Sequence, residues 1–442
     1  MYDLTERVAA LIKPLLPAQS SILIGLSGGV DSVVLLHLLQ RLAPRFSWQL
    51  SALHVHHGIS QNADAWADFC AELCASLHIP LSIEHVDIAP LRAHGIEAAA
   101  RKLRHAAFAG QVCDFVALAH HADDQVETLL LQLLRGAGVR GASSMPLLAE
   151  RTGSPSVLRP LLHCSRQEIL GYATAHGLQW IEDESNADDS YPRNFLRHRV
   201  LPLLEEKFPA YRDTLARSTQ HFAEASSLLD ELAQQDAAHA IEGKTLAVAA
   251  LQALSLPRAK NLLRYFLHSI GAPMPQAVQL DDMLHQLCNA REDAAVCIAY
   301  SGSSWEVRRY QGRVYVMRAQ QEFDRNQILP WHGEAELAWP ALSTCLVFTR
   351  TPGEGISLAS LQRAPVTLRL RCGGESLRPH QNAALRTLKN LLQEHHVPPW
   401  QRDRLPLLYC GDEVACVPGV AIAAEYQAVA DEEGISVVFS PR

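Results

Sequence analysis

The stretch SILIGLSGGVDSVVLLHLL, Ser21 to Leu39, decides the fold. Ile22 to Leu26 is an apolar, β-rich run, and from Val33 onward apolar residues recur at helical spacing, so the segment reads as strand, tight loop, helix. The loop is SGGVDS: Ser27, Gly28, Gly29, Val30, Asp31 and Ser32. The paired glycines let the backbone turn with dihedrals closed to other residues and approach an anion closely. The following helix presents free backbone amides and the positive end of its dipole. Such a loop is a phosphate cradle. The lysine of a Walker loop is missing; two serine hydroxyls face phosphate instead, and the Asp31 carboxylate is the candidate ligand for Mg²⁺.

Working outward, three more β-rich runs follow: WQLSALHVH (48–56), PLSIEHVDI (80–88) and FVALAHH (115–121), each ahead of a stretch with helical periodicity. Parallel strands need crossovers, usually helices, so this alternation predicts an α/β fold with a doubly wound, mostly parallel sheet. In such sheets ligands bind beyond the carboxyl ends of the strands, where these motifs fall. A chain of 442 residues exceeds one ordinary core. The expected catalytic domain covers 1–212, with a helix starting at the capping box of Ser165 and Glu168. A mainly helical middle domain with a terminal hairpin, turning at Gln311 and Gly312, is expected over 213–325. A looser stretch, 321–345, containing Pro330 and Pro340, should link it to a small α+β C-terminal domain over 346–442, with one helix near 381–395.

Composition excludes several classes. Apolar residues make up 48% and charged residues 19%, which argues against disorder, and no apolar run reaches the roughly 18 residues of a membrane span. The opening MYDLTERVAALIKPLL reads as an amphipathic helix rather than a signal peptide, so a cytoplasmic location without membrane association is expected. Ten dispersed cysteines with no CxxC predict reduced thiols and neither a zinc nor an iron–sulfur site. Net charge is −8, yet bases cluster locally. Between 191 and 218, Arg193, Arg197, Arg199, Lys207, Arg212 and Arg217 outnumber the acids; between 363 and 404, Arg363, Arg369, Arg371, Arg378, Arg386, Lys389, Arg402 and Arg404 do so again. Basic faces on an acidic body suit a protein that meets phosphates at chosen places.

A second motif, AHHADDQVETLLLQLLRG (Ala119–Gly136), puts Asp124, Glu127 and Thr128 on one helix face while Val126, Leu129, Leu130 and Leu133 line another. Carboxylates one turn apart at the mouth of the site make a pocket for a cation. A third, IEAAARKLRHAAF (Ile96–Phe108), sets Arg101 and Arg104 one turn apart, offering planar charged forks suited to phosphate. A fourth, DESNADDSYPRNFLRHRVLPLL, gathers Asn186, Arg193, Asn194 and Arg197 just beyond the sheet. In the tail, between Gly373 and Val420, bases alternate with turn residues and Trp400, a layout able to grip phosphates and stack on a base.

SGGVDS matches the signature of the PP-loop ATP pyrophosphatases at every defined position, and the remaining motifs resemble, in combination, those of the lysidine-synthase family from about Ile22 to Val420. One departure is His56–His57, where many relatives carry an asparagine before the histidine; it touches only the fine contacts of that loop. The resemblance implies cofactors ATP and Mg²⁺ and, as partners, free L-lysine and the tRNA(Ile) with a CAU anticodon, with no obligatory protein partner. It implies catalytic roles for Asp31, Asp124, Glu127 and Arg101, lysine binding at Asp124 and Glu127, and metal binding at Asp31. tRNA contacts would come from Arg104, Arg193, Asn194, Arg197, Arg378, Lys389, Trp400 and Arg402. Rival readings are another PP-loop tRNA-modifying enzyme, such as a thiolase, an amidotransferase-type synthetase, and a non-catalytic nucleotide-sensing RNA-binding protein.

Overall fold

The computed structural model describes residues 3–89, 96–151, 153–184, 188–291, 294–302, 304–319, 323–342 and 344–441. The chain forms two compact units, Met1–Leu232 and Ala233–Arg442.

The first unit is built on a six-stranded sheet of β1 (Ser21–Gly25), β2 (Gln49–His56), β3 (Leu81–His85), β4 (Phe115–Ala117), β5 (Leu148–Ala149) and β6 (Ser156–Leu158), in the order β3-β2-β1-β4-β6-β5. All neighbours pair in parallel except β5, which closes one edge antiparallel to β6. Its helices are α1 (Leu4–Ile12), α2 (Val30–Phe46), α3 (Ala63–Ser76), α4 (Ile96–Ala109), α5 (Ala122–Leu134), α6 (Val139–Ala142), α7 (Arg166–Ala175), α8 (Pro192–Phe195), α9 (Leu201–Lys207) and α10 (Tyr211–Ala237), with a π-helical turn at Leu196–Val200 between α8 and α9.

The central strands carry apolar residues on both faces because both are covered, whereas the edge strand β3 leaves Ser82 and Ile83 exposed. Ile22, Ile24, Ala52, Ala117 and Leu158 pack into the larger core with α1, α2, α3 and α7, whereas Leu23, Leu53, Val116 and Val157 meet Ala107 and Phe108 of α4. The chain runs outward from β1 through β2 to β3, then returns to place β4 on the other side of β1. This reversal opens a crevice beyond the carboxyl ends of β1 and β4, the place where open α/β sheets bind ligands. Helix α2 begins at Val30, earlier than the periodicity from Val33 suggests, because Gly29 acts as its cap and its carbonyl accepts from Val33 N at 3.1 Å. Asp31 and Ser32 therefore lie in the first helical turn. Strands β5 and β6, two and three residues long, carry no readable periodicity and are found only in the structure.

In the second unit, helices Val248–Ala253, Leu256–Ser269 and Ala277–Asn289 share a core with a five-stranded sheet that includes Trp305–Tyr310 and Arg313–Arg318. These last two strands form the expected hairpin, and Gln311 (φ 46°) and Gly312 (φ 71°) supply the left-handed pair that a two-residue turn requires. The stretch expected as a linker contains strands instead. Ile328–Pro330 pairs with Val366–Arg369, Glu336–Trp339 pairs with Thr344–Pro352, and Trp339 is fully buried in the last core. The helix expected near 381–395 contracts to Leu388–Glu394, because Ser376–Leu377 and Arg386–Thr387 pair as a small hairpin and the Thr387 hydroxyl caps Asn390 N.

Gly25 ends β1 where a Cβ would lie 2.8 Å from Leu118 Cδ2 and 2.9 Å from Phe108 Cζ. Gly25→Ala should destabilise the chain by about 1–3 kcal/mol, the usual cost of overpacking a core, with chemical denaturation as the measurement.

Candidate active site

The phosphate cradle is pre-shaped by its own hydrogen bonds. Ser32 Oγ donates to Gly29 O at 2.9 Å and lies 3.1 Å from Ser27 Oγ, and Ser27 N donates to Ser32 Oγ at 3.2 Å. Gly28 sits at φ +87°, where a Cβ would also fall 2.6 Å from Ile181 Cδ1, and its carbonyl accepts from Ile181 N at 2.9 Å. Ile181 thus pins the loop from a segment that no motif singled out.

Asp31 is half-buried, and its Oδ1 is shielded from solvent without a hydrogen-bond partner. Burial raises its pKa, Asp124 adding to the effect and His121 opposing it. A shielded carboxylate oxygen beside a phosphate cradle fits a divalent cation shared with bound phosphates. No group of three or more His, Cys, Asp or Glu side chains among the described residues forms a self-sufficient metal site.

Across the crevice, past the end of β4, His121 is the cap residue of α5, and Asp124 Oδ2 accepts from His121 N at 3.0 Å. His121 is buried, with Nε2 3.5 Å from Asp124 Oδ2 and 3.7 Å from Asp31 Oδ1, and Nδ1 3.7 Å from Asp123 Oδ2. One imidazole therefore stands among three carboxylates. Sequence reasoning passed over it, although its place just after a strand end in the HHxDD pattern was the available signal.

Glu127 is wholly buried and carries two arginines. Arg193 Nε donates to Glu127 Oε2 at 2.6 Å, and Arg197 reaches Oε1 at 2.7 Å and Oε2 at 3.0 Å. Arg193 also donates to Asp124 Oδ1 at 2.8 Å. Burial works against the charge of Asp124, but His121, Arg193 and the His121 backbone N–H outweigh it and hold the pKa below the usual carboxylate range. Arg193 lies in α8 and Arg197 in the π turn that follows it, and nearby Val126 of α5 packs with Leu201 and Tyr211. Asp123, also unassigned from sequence, ties the region together by accepting from Arg166 N at 2.9 Å and Arg212 Nε at 2.7 Å.

The other predicted residues divide. Arg101 and Arg104 lie exposed on α4. Asn194 is buried and donates to Asp188 O at 2.9 Å, bracing the turn before α8, while Asn186 lies outside the described residues. In the second unit Lys389 is exposed, and Arg378, also exposed, has Glu425 at 3.8 Å. Trp400 packs edge-on against Tyr310 and Tyr315 with Arg308 over its ring, and Arg402 donates to Val397 O at 2.7 Å and to Tyr310 Oη at 2.8 Å. These two side chains join the tail to the 305–318 hairpin rather than standing free for a base.

A glycine cradle at a strand-order reversal, facing a capped acidic helix, defines the class: a PP-loop enzyme that uses ATP. Residues 2–204 match the PP-loop domain family, 246–315 the TilS substrate binding domain, and 366–439 the TilS substrate C-terminal domain. Similar proteins include the tRNA(Ile)-lysidine synthases of Nitrosomonas europaea (44% identical, covering 95% of this chain and 91% of that one) and Aromatoleum aromaticum (41%, covering 98% and 99%). That of Coxiella burnetii is 36% identical, covering 96% and 94%. The chain belongs to the tRNA(Ile)-lysidine synthase family, ligases that modify tRNA.

The buried Glu127 charge yields a stability test. Arg197→Met removes one of its cations and should cost about 3 kcal/mol in urea unfolding, the scale for orphaning a buried ion. Adding Glu127→Leu should recover part of that loss, since the charge left unpaired is then gone.

Proposed function

We propose that the chain joins free L-lysine to the 2-position of the wobble cytidine in the CAU anticodon of tRNA(Ile), by way of an adenylated cytidine, and does so in the cytoplasm. The observation that carries this reading is the meeting, in one crevice, of the Ser27–Ser32 cradle with Asp31, Asp124 and the arginine-clamped Glu127.

Two chemical steps fit the crevice. In the first, the cytidine 2-carbonyl oxygen attacks the α-phosphorus of ATP and pyrophosphate leaves. Amides of the cradle and the start of α2 hold the phosphates, and Asp31 is the residue that would hold Mg²⁺. A bound Mg²⁺ supplies neutralisation of phosphate charge. Arg101 stands ready as a further phosphate clamp, with Arg104 beside it for the tRNA. The wobble base must leave its stack, which costs a few kcal/mol and least in a single-stranded loop.

In the second step the lysine ε-amine attacks C2, AMP leaves, and the amine gives up a proton. With an ordinary pKa of about 10.4, stripping that ammonium at pH 7 costs roughly 4–5 kcal/mol. Asp124, held ionised, retains acceptor sites beyond those used by His121 N and Arg193, so it can take the ammonium directly. Glu127 serves the same cation from below, with most of its acceptor capacity committed to the two arginines. Either carboxylate, or an AMP oxygen, accepts the proton as the amine attacks. In the second unit, exposed Arg378 and Lys389 offer phosphate contacts to the tRNA body.

Two experiments test the scheme. Glu127→Gln and Asp124→Asn should still release pyrophosphate when given tRNA and ATP, but transfer of radiolabelled lysine should fall at least about 100-fold, the scale of a lost proton acceptor; equal loss of both steps would reject the lysine-binding role. Asp31→Asn should abolish pyrophosphate release while leaving thermal unfolding no lower than wild type. Normal release in that variant would take Asp31 out of the metal role.

A further inference from the structure

One buried cation in the crevice is left out of this scheme. Arg159 follows the last residue of β6 and is only 7% exposed. It lies on the ligand side of the sheet: Leu118, just past β4, donates its N–H to Leu158 O at 2.9 Å, so Arg159 sits beside the Leu118–His121 turn. Its backbone N–H donates to Leu147 O at 2.8 Å, and Nη1 donates to Pro146 O at 2.8 Å. Nε is buried with no hydrogen-bond partner. Among the described residues no carboxylate pairs with Arg159. A buried charge of this kind is strongly disfavoured unless something compensates it.

The surroundings are themselves basic. Burial and the charges of Arg151 and Arg101 push the Arg159 guanidinium down to about 10, and His105 of α4 is lowered by burial and by Arg101, Arg104, Arg151 and Arg159. His120 has a buried Nδ1 without a partner, and burial keeps its ring neutral. The Arg159 guanidinium at the end of β6 thus stands in the field of Arg101 on α4 and of Arg151 beyond β5, while carboxylates gather around His121 at the start of α5.

We propose that Arg159 is the buried anchor of a second phosphate subsite, separate from the Ser27–Ser32 cradle and completed by a phosphate group arriving at the ends of β4 and β6. Arg159 is a binding residue here, and the ligand accepts from the guanidinium and shares the field of Arg151 and Arg101. A phosphate of this chemistry comes from two sources in the proposed reaction, the pyrophosphate end of ATP or a phosphodiester of the anticodon loop, so the inference rests on that reaction for its choice of ligands.

The test compares wild type, Arg159→Lys and Arg159→Met as full-length chains, using calorimetric titration with inorganic pyrophosphate in Mg²⁺ and, separately, with a synthetic anticodon stem-loop RNA. Loss of one charge-assisted donor should weaken one of these ligands by about 10- to 100-fold in Arg159→Met, with Arg159→Lys in between. Weakened pyrophosphate binding assigns the subsite to ATP, and weakened stem-loop binding assigns it to tRNA. Affinities for both ligands within about twofold of wild type in both variants would overturn the proposal. So would a lower melting temperature in Arg159→Met with both affinities intact, because Arg159 would then serve only to hold Pro146. Pyrophosphate affinity needs no turnover, so a wild-type chain that makes no lysidine yet loses pyrophosphate binding on Arg159→Met would sink the reaction and leave the subsite standing.

Discussion

The carboxylate of Glu127 is the constraint on which the active region turns. A fully buried anion survives only with cations on it, and Arg193 and Arg197 supply them from a segment about seventy residues further along the chain. The same contact therefore does two jobs. It closes the 192–207 segment over α5, and through Arg193 it fixes Asp124 at the edge of the crevice with its charge intact. Remove the arginines and Glu127 would be buried without its cations, and Asp124 would lose one of the charges that keep its pKa low.

That acid face has a counterpart. In the proposed reaction two of the molecules that meet are polyanions and one is a cation, and a uniformly charged crevice would repel one kind. Strand-order reversal resolves the conflict by delivering unlike loops to one place. The cradle follows β1, one guanidinium follows β6 and another lies on α4, and these are the groups assigned to phosphate in the proposed reaction; the acids at the start of α5 are those assigned to the amine. His121 sits where these fields meet, within 3.7 Å of Asp31 and 3.5 Å of Asp124, so the two carboxylates are electrostatically linked.

What could be read from the amino-acid order was what local chemistry dictates. SGGVDS needs its glycines in sequence, and the i, i+3 acids Asp124 and Glu127 of α5 need only a helix, so both were legible, as was the hairpin at Gln311–Gly312. What escaped notice depends on distant partners. Arg193 and Arg197 read as surface bases for RNA because nothing nearby in the sequence announces their partners on α5, and Trp400 read as a stacking platform although Tyr310 and Tyr315 occupy its edges. Strand β6, three residues long, was invisible to periodicity, and with it went the reason why Arg159 is buried.

The contrast between Arg159 and the arginines of Glu127 carries the last step. All three guanidiniums are drawn to one end of a sheet, yet two are neutralised within the protein and the third keeps a buried Nε with no partner. Internal neutralisation suits residues that must stay put through every turnover, because it holds geometry whatever is bound. An unneutralised buried cation is the opposite kind of element, since its electrostatic cost is relieved only when an anion arrives. The fold thus separates, within one crevice, a permanently satisfied side whose acids are fixed by internal cations from an unsatisfied side where the proposed subsite leaves neutralisation to an arriving phosphate.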